Sequence, residues 1–147
     1  MPDYATLDII ADAYNPILLL LTLYATAASI CMKQWRLAGT KVLLILIGAI
    51  IAYGWMLVDS HYGIWPSMGM DYSTHTATAS VMAIFLFFFL KKIRAAVVVS
   101  LILYIYLMLY QEYHTLGDIA STGLFVCFQY VPALLISTFH FNKKKLD

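Results

Sequence analysis

The sequence predicts an all-α, polytopic membrane protein with five transmembrane helices. Three observations predict it. Of 147 residues, 63% are hydrophobic and only 12% charged, where soluble domains have about 45–50% and about 25%; the mean hydropathy is +0.82. Five apolar runs approach the ~20 residues that cross a bilayer, and the connections between them are short. All nine Lys and Arg residues fall in alternate connecting segments. One chain of this length makes a single helical domain, residues 1–147. The composition excludes a soluble enzyme, a nucleic-acid binder and a disordered chain.

The elements follow in order. Residues 3–14 place Leu7, Ile10, Ala11 and Tyr14 on one helical face. They are expected to form an amphipathic helix on the outer leaflet, with a lid over an outer-face site as the alternative. The acidic Asp3, Asp8 and Asp12 stand where a cleavable signal peptide would need positive charge. Pro16 opens the first span, at about 16–32, and spans of about 42–58, 73–90, 95–110 and 115–139 follow. The third begins with Thr76, Ala77, Thr78, Ala79 and Ser80, small residues that let helices approach closely. Cys31 and Cys127 lie in apolar runs and read as small core hydrophobes.

Orientation follows from the basic residues. Lys33, Arg36 and Lys41 fill the first loop, Lys91, Lys92 and Arg94 the third, and Lys143, Lys144 and Lys145 the tail. Five crossings then put the N-terminus outside and the C-terminus in the cytoplasm. Every acid except Asp147 falls on or just inside the outer face, as do His61, His75 and His114. His140, at the inner end of the last span, reads as an interfacial residue without chemistry. The expected location is a plasma (inner) membrane with the active site on the extracytoplasmic side.

Two outer loops carry the polar chemistry, residues 59–80 and 110–123. His75 stands near the start of the third span and His114 at the start of the fifth. Asp118 follows His114 by four residues, so the pair shares a helix face. Asp118 is expected to accept a hydrogen bond from His114, fix its tautomer and raise its basicity. An acid just inside a membrane helix suggests function; the plainer reading is a structural pair that satisfies itself. Two histidines and an aspartate suit phosphoryl transfer, one imidazole attacking phosphorus and the other protonating the leaving oxygen.

Residues 73–79, Ser-Thr-His-Thr-Ala-Thr-Ala, resemble the second motif of the type-2 phosphatidic acid phosphatase superfamily, Pro-Ser-Gly-His-Thr-Ala. Residues 114–119, His-Thr-Leu-Gly-Asp-Ile, resemble its third motif. Sphingomyelin synthases share the His, His, Asp set, and Asp71 stands before Ser73 much as an Asp stands before their Ser-Gly-His-Thr. The resemblance covers residues 59–123. It implies a lipid phosphatase or phosphotransferase with His114 as nucleophile, Asp118 as its orienting partner and His75 as leaving-group acid. The chain departs from the family in having Val58 and Trp65 at the first motif's Lys and Arg positions, Thr74 in place of glycine, five spans rather than six, and no Lys or Arg on the outer face.

Helix N-termini with Ser73, Thr74, Thr76 and Thr115 are expected to stand in for the family's arginines. Asp71, His61 and Asp59 join them as substrate-binding candidates. This reading needs no cofactor. A second reading takes His61, His75, His114, Asp59, Asp71, Asp118 and Glu112 as a ligand pool for a divalent metal such as zinc or magnesium, in a metal-dependent membrane hydrolase. A third makes the chain a non-catalytic lipid-binding subunit. Tyr53, Trp55, Tyr62, Trp65 and Tyr72 read as interfacial anchors rather than a headgroup cage. The expected partners are a membrane lipid substrate, the bilayer and a possible second copy of the chain, with no nucleic acid.

Overall fold

The computed structural model describes the backbone of residues 4–143 and the side chains of residues 4–139. Asp3, the His140 side chain and the lysines of the tail lie outside the described side chains. The architecture is all-helical, with no strand among the described residues. It comprises α1 (Tyr4–Cys31), α2 (Trp35–Tyr62), α3 (Ile64–Ser67), α4 (Thr74–Phe89), a 3-10 turn (Lys91–Ile93), α5 (Arg94–Tyr110) and α6 (Leu116–Lys143). Four segments are long and apolar enough to cross a membrane: α1, α2, residues 91–110 and α6 as far as Phe139.

The fifth apolar helix, α4, is the hub. It packs against α1, α2, α5 and α6. At 16 residues it is roughly 24 Å long, less than the ~30 Å hydrocarbon core. Its neighbours enclose its middle, from Thr76 to Leu86. Its small residues allow that enclosure: Thr76, Ala77, Ala79, Ser80 and Ala83 are all buried. A Cβ added to Gly123 of α6 would meet Ser80 and Thr76 at 3.8 Å. Gly48 of α2 is tighter still: its added Cβ would lie 2.2 Å from the Val81 side chain. Tyr130, Leu44, Leu86, Val126 and Leu134 complete a fully buried core. Apolar side chains also cover the outside, with Ile50 70% and Phe128 82% exposed, a surface suited to lipid.

The first turns of α1 differ from the expected interfacial helix. They continue into the span as one helix with Pro16 inside it. Pro16 removes the hydrogen bond that its N–H would give the Asp12 carbonyl. The segment docks on α5 and the loop after it. Tyr14 stacks on Tyr104 at 4.1 Å, and its hydroxyl pairs with Ser100 at 3.2 Å. Tyr113 donates to Asp8 at 2.9 Å, as does Gln111.

Lys41 also lies elsewhere than expected. It sits within α2, 5% exposed, not in the first loop. Its ammonium donates to the Ala25 carbonyl at 2.7 Å and to Ser29 Oγ at 2.9 Å, 5.0 Å from the centre of the Phe89 ring. Its long aliphatic stem allows that burial. Cys31 is exposed and Cys127 half-buried, so neither is a core residue.

The segment between α2 and α4 is folded, not a free loop. Gly63, in the left-handed region at φ 62°, ends α2 with its N–H on the Asp59 carbonyl. Only glycine reaches that conformation without cost. The short helix α3 then turns Trp65 inward, 3% exposed. Trp65 packs edge-on against Tyr72 at 4.9 Å and Phe125 at 5.3 Å, and its indole donates to Ser121. The Tyr72 hydroxyl donates to the Ala52 carbonyl at 2.9 Å. Burial, and then the charge of Asp59, push this phenol up to about 12. Trp65 and Tyr72 are therefore core residues, while Tyr62 and Tyr53 remain exposed.

Candidate functional site

Antiparallel helices joined by short turns bring the start of α1, the end of α2, the start of α4, the end of α5 and the start of α6 to one end of the bundle. That end carries Asp8, Asp12, Asp59, Asp71, Glu112 and Asp118. The basic residues Lys33, Arg36, Lys91, Lys92 and Arg94 lie at the other end.

Two capping arrangements position the histidines. Ser73 caps α4, its Oγ accepting from the Thr76 N–H at 3.2 Å and pairing with the Thr76 hydroxyl at 2.8 Å. This is the side-chain capping that helix starts favour. Ser73 N–H in turn donates to Thr122 Oγ1 of α6. Both Ser73 and Thr76 are buried, with their hydroxyls engaged in the cap of α4. His75 lies between them in sequence and is exposed.

At the start of α6, Asp118 and Thr115 form a reciprocal capping box. Asp118 Oδ2 accepts from the Thr115 N–H at 2.7 Å, and Thr115 Oγ1 accepts from the Asp118 N–H at 3.2 Å. Asp118 Oδ1 accepts from the Asp71 N–H at 2.7 Å, tying the α3–α4 connection to α6. His114 lies before the helix, not on it, because Glu112 takes a left-handed φ of 57° and α6 starts only at Leu116. Its Nδ1 is 4.0 Å from Asp118 Oδ2, an electrostatic contact beyond hydrogen-bond distance. The expected His114–Asp118 hydrogen bond is thus replaced by two backbone hydrogen bonds to the carboxylate.

His75 and His114, 39 residues apart in sequence, line one cavity of about 180 Å³. Asp12 of α1, Tyr104 of α5 and Tyr113 line it with them. The sequence reading did not select these three. Asp12 enters because α1 runs unbroken past Pro16. Tyr104 enters because it stacks on Tyr14. Tyr104 is 4% exposed, and its hydroxyl has no hydrogen-bond partner among the described residues. The Asp8 carboxylate accepting from Tyr113 holds that phenol above its usual range. Among the described residues no Lys or Arg lines the cavity, and its acid is Asp12, with Asp118 behind His114.

The other candidates lie apart. Asp59 is buried and its Oδ1 accepts from the Trp65 N–H at 2.7 Å, which fixes the turn into α3. His61 is exposed against Tyr62 at 4.7 Å. Asp71, Glu112 and Thr115 are exposed, and Thr74 half-buried, around the site's rim. Among the described residues no three His, Cys, Asp or Glu side chains form a group able to hold a metal ion. No protein-family model, curated protein or solved structure matches the chain.

Proposed function

We propose that the chain is a membrane-embedded lipid phosphatase or phosphotransferase that works on a headgroup phosphate in the cavity shared by His75 and His114. That shared cavity is the observation that carries the reading. The resemblance of residues 73–79 and 114–119 to the two histidine motifs of lipid phosphatases supports it.

In this reading Nδ1 of His114 faces Asp118, which leaves Nε2 to attack phosphorus. The P–O bond to the lipid breaks, and the leaving alkoxide takes a proton from the His75 imidazolium. Water or a lipid hydroxyl then attacks the phosphorylated His114 and gives its proton back to His75. Asp118 offsets the positive charge that develops on His114 as the N–P bond forms, and through Thr115 it holds the start of α6 next to His114. The unpartnered Tyr104 hydroxyl donates to a phosphoryl oxygen. With Asp12 in the wall and no arginine, a phosphodiester carrying one negative charge suits the cavity better than a phosphate dianion. An amine headgroup would complement the acidic rim. The acidic end faces outward and the basic end the cytoplasm of a plasma membrane, by the distribution of Lys and Arg, so the lipid enters from the outer leaflet.

The test is release of phosphate from phosphatidic acid, and of the phosphorylated headgroup from phosphatidylcholine and phosphatidylethanolamine, by the purified chain with and without chelator. His114→Ala is expected to abolish turnover. His75→Ala should cost roughly 10²–10⁴-fold, the range of general acid catalysis. Full activity in His114→Ala overturns the reading. Activity lost on chelation replaces it with metal-dependent hydrolysis.

A further inference from the structure

The basic end of the bundle, opposite the two histidines, carries a recess of about 560 Å³. Leu21 and Tyr24 of α1 form one wall. Phe89 and Leu90, where α4 stops, form the other. Lys91 and Lys92 of the 3-10 turn, both exposed, join the lining. The recess exists because α4 is short. Tyr24 is level with the turn, yet α1 runs on to Cys31, roughly two turns or 10 Å further. The turn therefore stops beside α1 and not at its end, and its lysines stand next to apolar surface.

The cations near this recess divide into two kinds. Arg94 is engaged within the fold: its Nε donates to the Phe87 carbonyl at 2.6 Å, and its guanidinium lies 4.8 Å from the centre of the Phe87 ring. Lys41 is engaged with Ala25 and Ser29. Lys91 and Lys92 have no carboxylate partner among the described residues, whose acids all lie at the opposite end. Two uncompensated ammonium groups beside an apolar groove complement an amphiphile with a negative head.

We infer that this recess binds an anionic phospholipid from the leaflet at the basic end, its phosphate at Lys91 and Lys92 and one acyl chain along Leu21, Phe89 and Leu90. Basic pockets between membrane helices suit anionic headgroups in this way. A zwitterionic lipid brings an ammonium of its own to the two lysines, which offsets part of the attraction. A soluble phosphate ester would leave the apolar wall uncovered. The site rests on the apolar helices lying in a bilayer and needs no chemistry at His114.

The experiment is native mass spectrometry of the full, delipidated chain in micelles, titrated with phosphatidylglycerol and with phosphatidylcholine of the same acyl chains. One phosphatidylglycerol per chain is expected to bind at concentrations where phosphatidylcholine does not. Lys91→Gln with Lys92→Gln should weaken it roughly 25-fold, about fivefold for each lysine. Lys33→Gln with Arg36→Gln removes as much charge from the exposed tip between α1 and α2 and should leave the affinity within about twofold, because screening weakens charges at that distance. Leu21→Trp fills the groove without changing charge and should also weaken binding, with the melting temperature as control for folding. Equal affinity for the two lipids overturns the inference. So does an equal loss in both charge pairs, which marks a diffuse basic surface, or undiminished binding in Leu21→Trp. Displacement by glycerol phosphate, which has no acyl chains, overturns it in favour of a soluble phosphate ester.

Discussion

Replacing Asp118 by Ala removes the acceptor for two backbone amides at once. Both hydrogen bonds are 2.7 Å long, one from Thr115 in the same turn and one from Asp71 across the fold. A hydrogen bond to a charged group is worth ~1.5–3 kcal/mol. Asp71 is exposed, so water takes up part of what its amide loses, and the total falls at the lower end, roughly 3 kcal/mol. Asp118→Asn keeps one acceptor oxygen and should lose about half of that. Thr115→Ala removes the other half of the capping box, at about 1 kcal/mol. Because the two side chains form one unit, the double variant should depart from additivity by at least ~0.5 kcal/mol. Reversible unfolding of the purified chain in mixed micelles, titrated with a denaturing detergent, reads all four values. An Asp118→Ala variant within ~0.5 kcal/mol of the parent, the range of ordinary surface changes, would refute the argument that this carboxylate ties the α3–α4 connection to α6.

Three further outcomes follow from the packing. Gly48→Ala sets a methyl 2.2 Å from Val81 and should destabilise by ~1–3 kcal/mol; Val81→Ala in the same chain should recover much of the loss in a thermal melt. Lys41 is buried with a carbonyl and a hydroxyl but no described acid, so Lys41→Met should leave stability unchanged or raise it by about 1 kcal/mol, and a fall above ~2 kcal/mol would contradict that reading. The Tyr72 phenol, raised from 10.0 to about 12 by burial and then Asp59, favours the folded state while it stays protonated. Its contribution is whole below pH 10 and is lost as pH rises towards 12, so alkaline unfolding over that window should be shallower in Tyr72→Phe.

The all-helical class and the long apolar helices were legible in the sequence because hydropathy and length speak for each segment separately. The separation of acids from bases was legible too, since short turns force neighbouring helices to alternate. His75 and His114 could be placed at one end for the same reason. The close packing of α4 through its small residues was legible as well, but most side-chain contacts between elements were not. Pro16 reads as a helix start, but α1 continues through it, with Tyr14 and Asp8 docked on α5 and its following loop. Lys41 reads as a loop charge, but its stem lets the ammonium reach α1. Asp118 reads as a partner for His114 at helical spacing. The i, i+4 rule assumes that both residues are helical, and the Thr115–Asp118 capping box starts the helix after His114. That Thr-x-x-Asp spacing was present in the sequence as a signal. Asp12, Tyr104 and Tyr113 carried no such signal, because only the packing of α1 on α5 brings them to the histidines.

The most direct measurement is phosphate transfer to His114 itself. The purified chain, incubated briefly with a lipid labelled at its phosphate and quenched in base, should carry a labelled, acid-labile phosphoryl group, with its headgroup where the lipid is a diester, mapped by mass spectrometry to residue 114. His75→Ala, which slows the return of the proton, should leave the site identifiable, and His114→Ala should carry none. A chain that turns lipid over without ever carrying phosphate at His114, or that carries it equally after His114→Ala, would contradict the account.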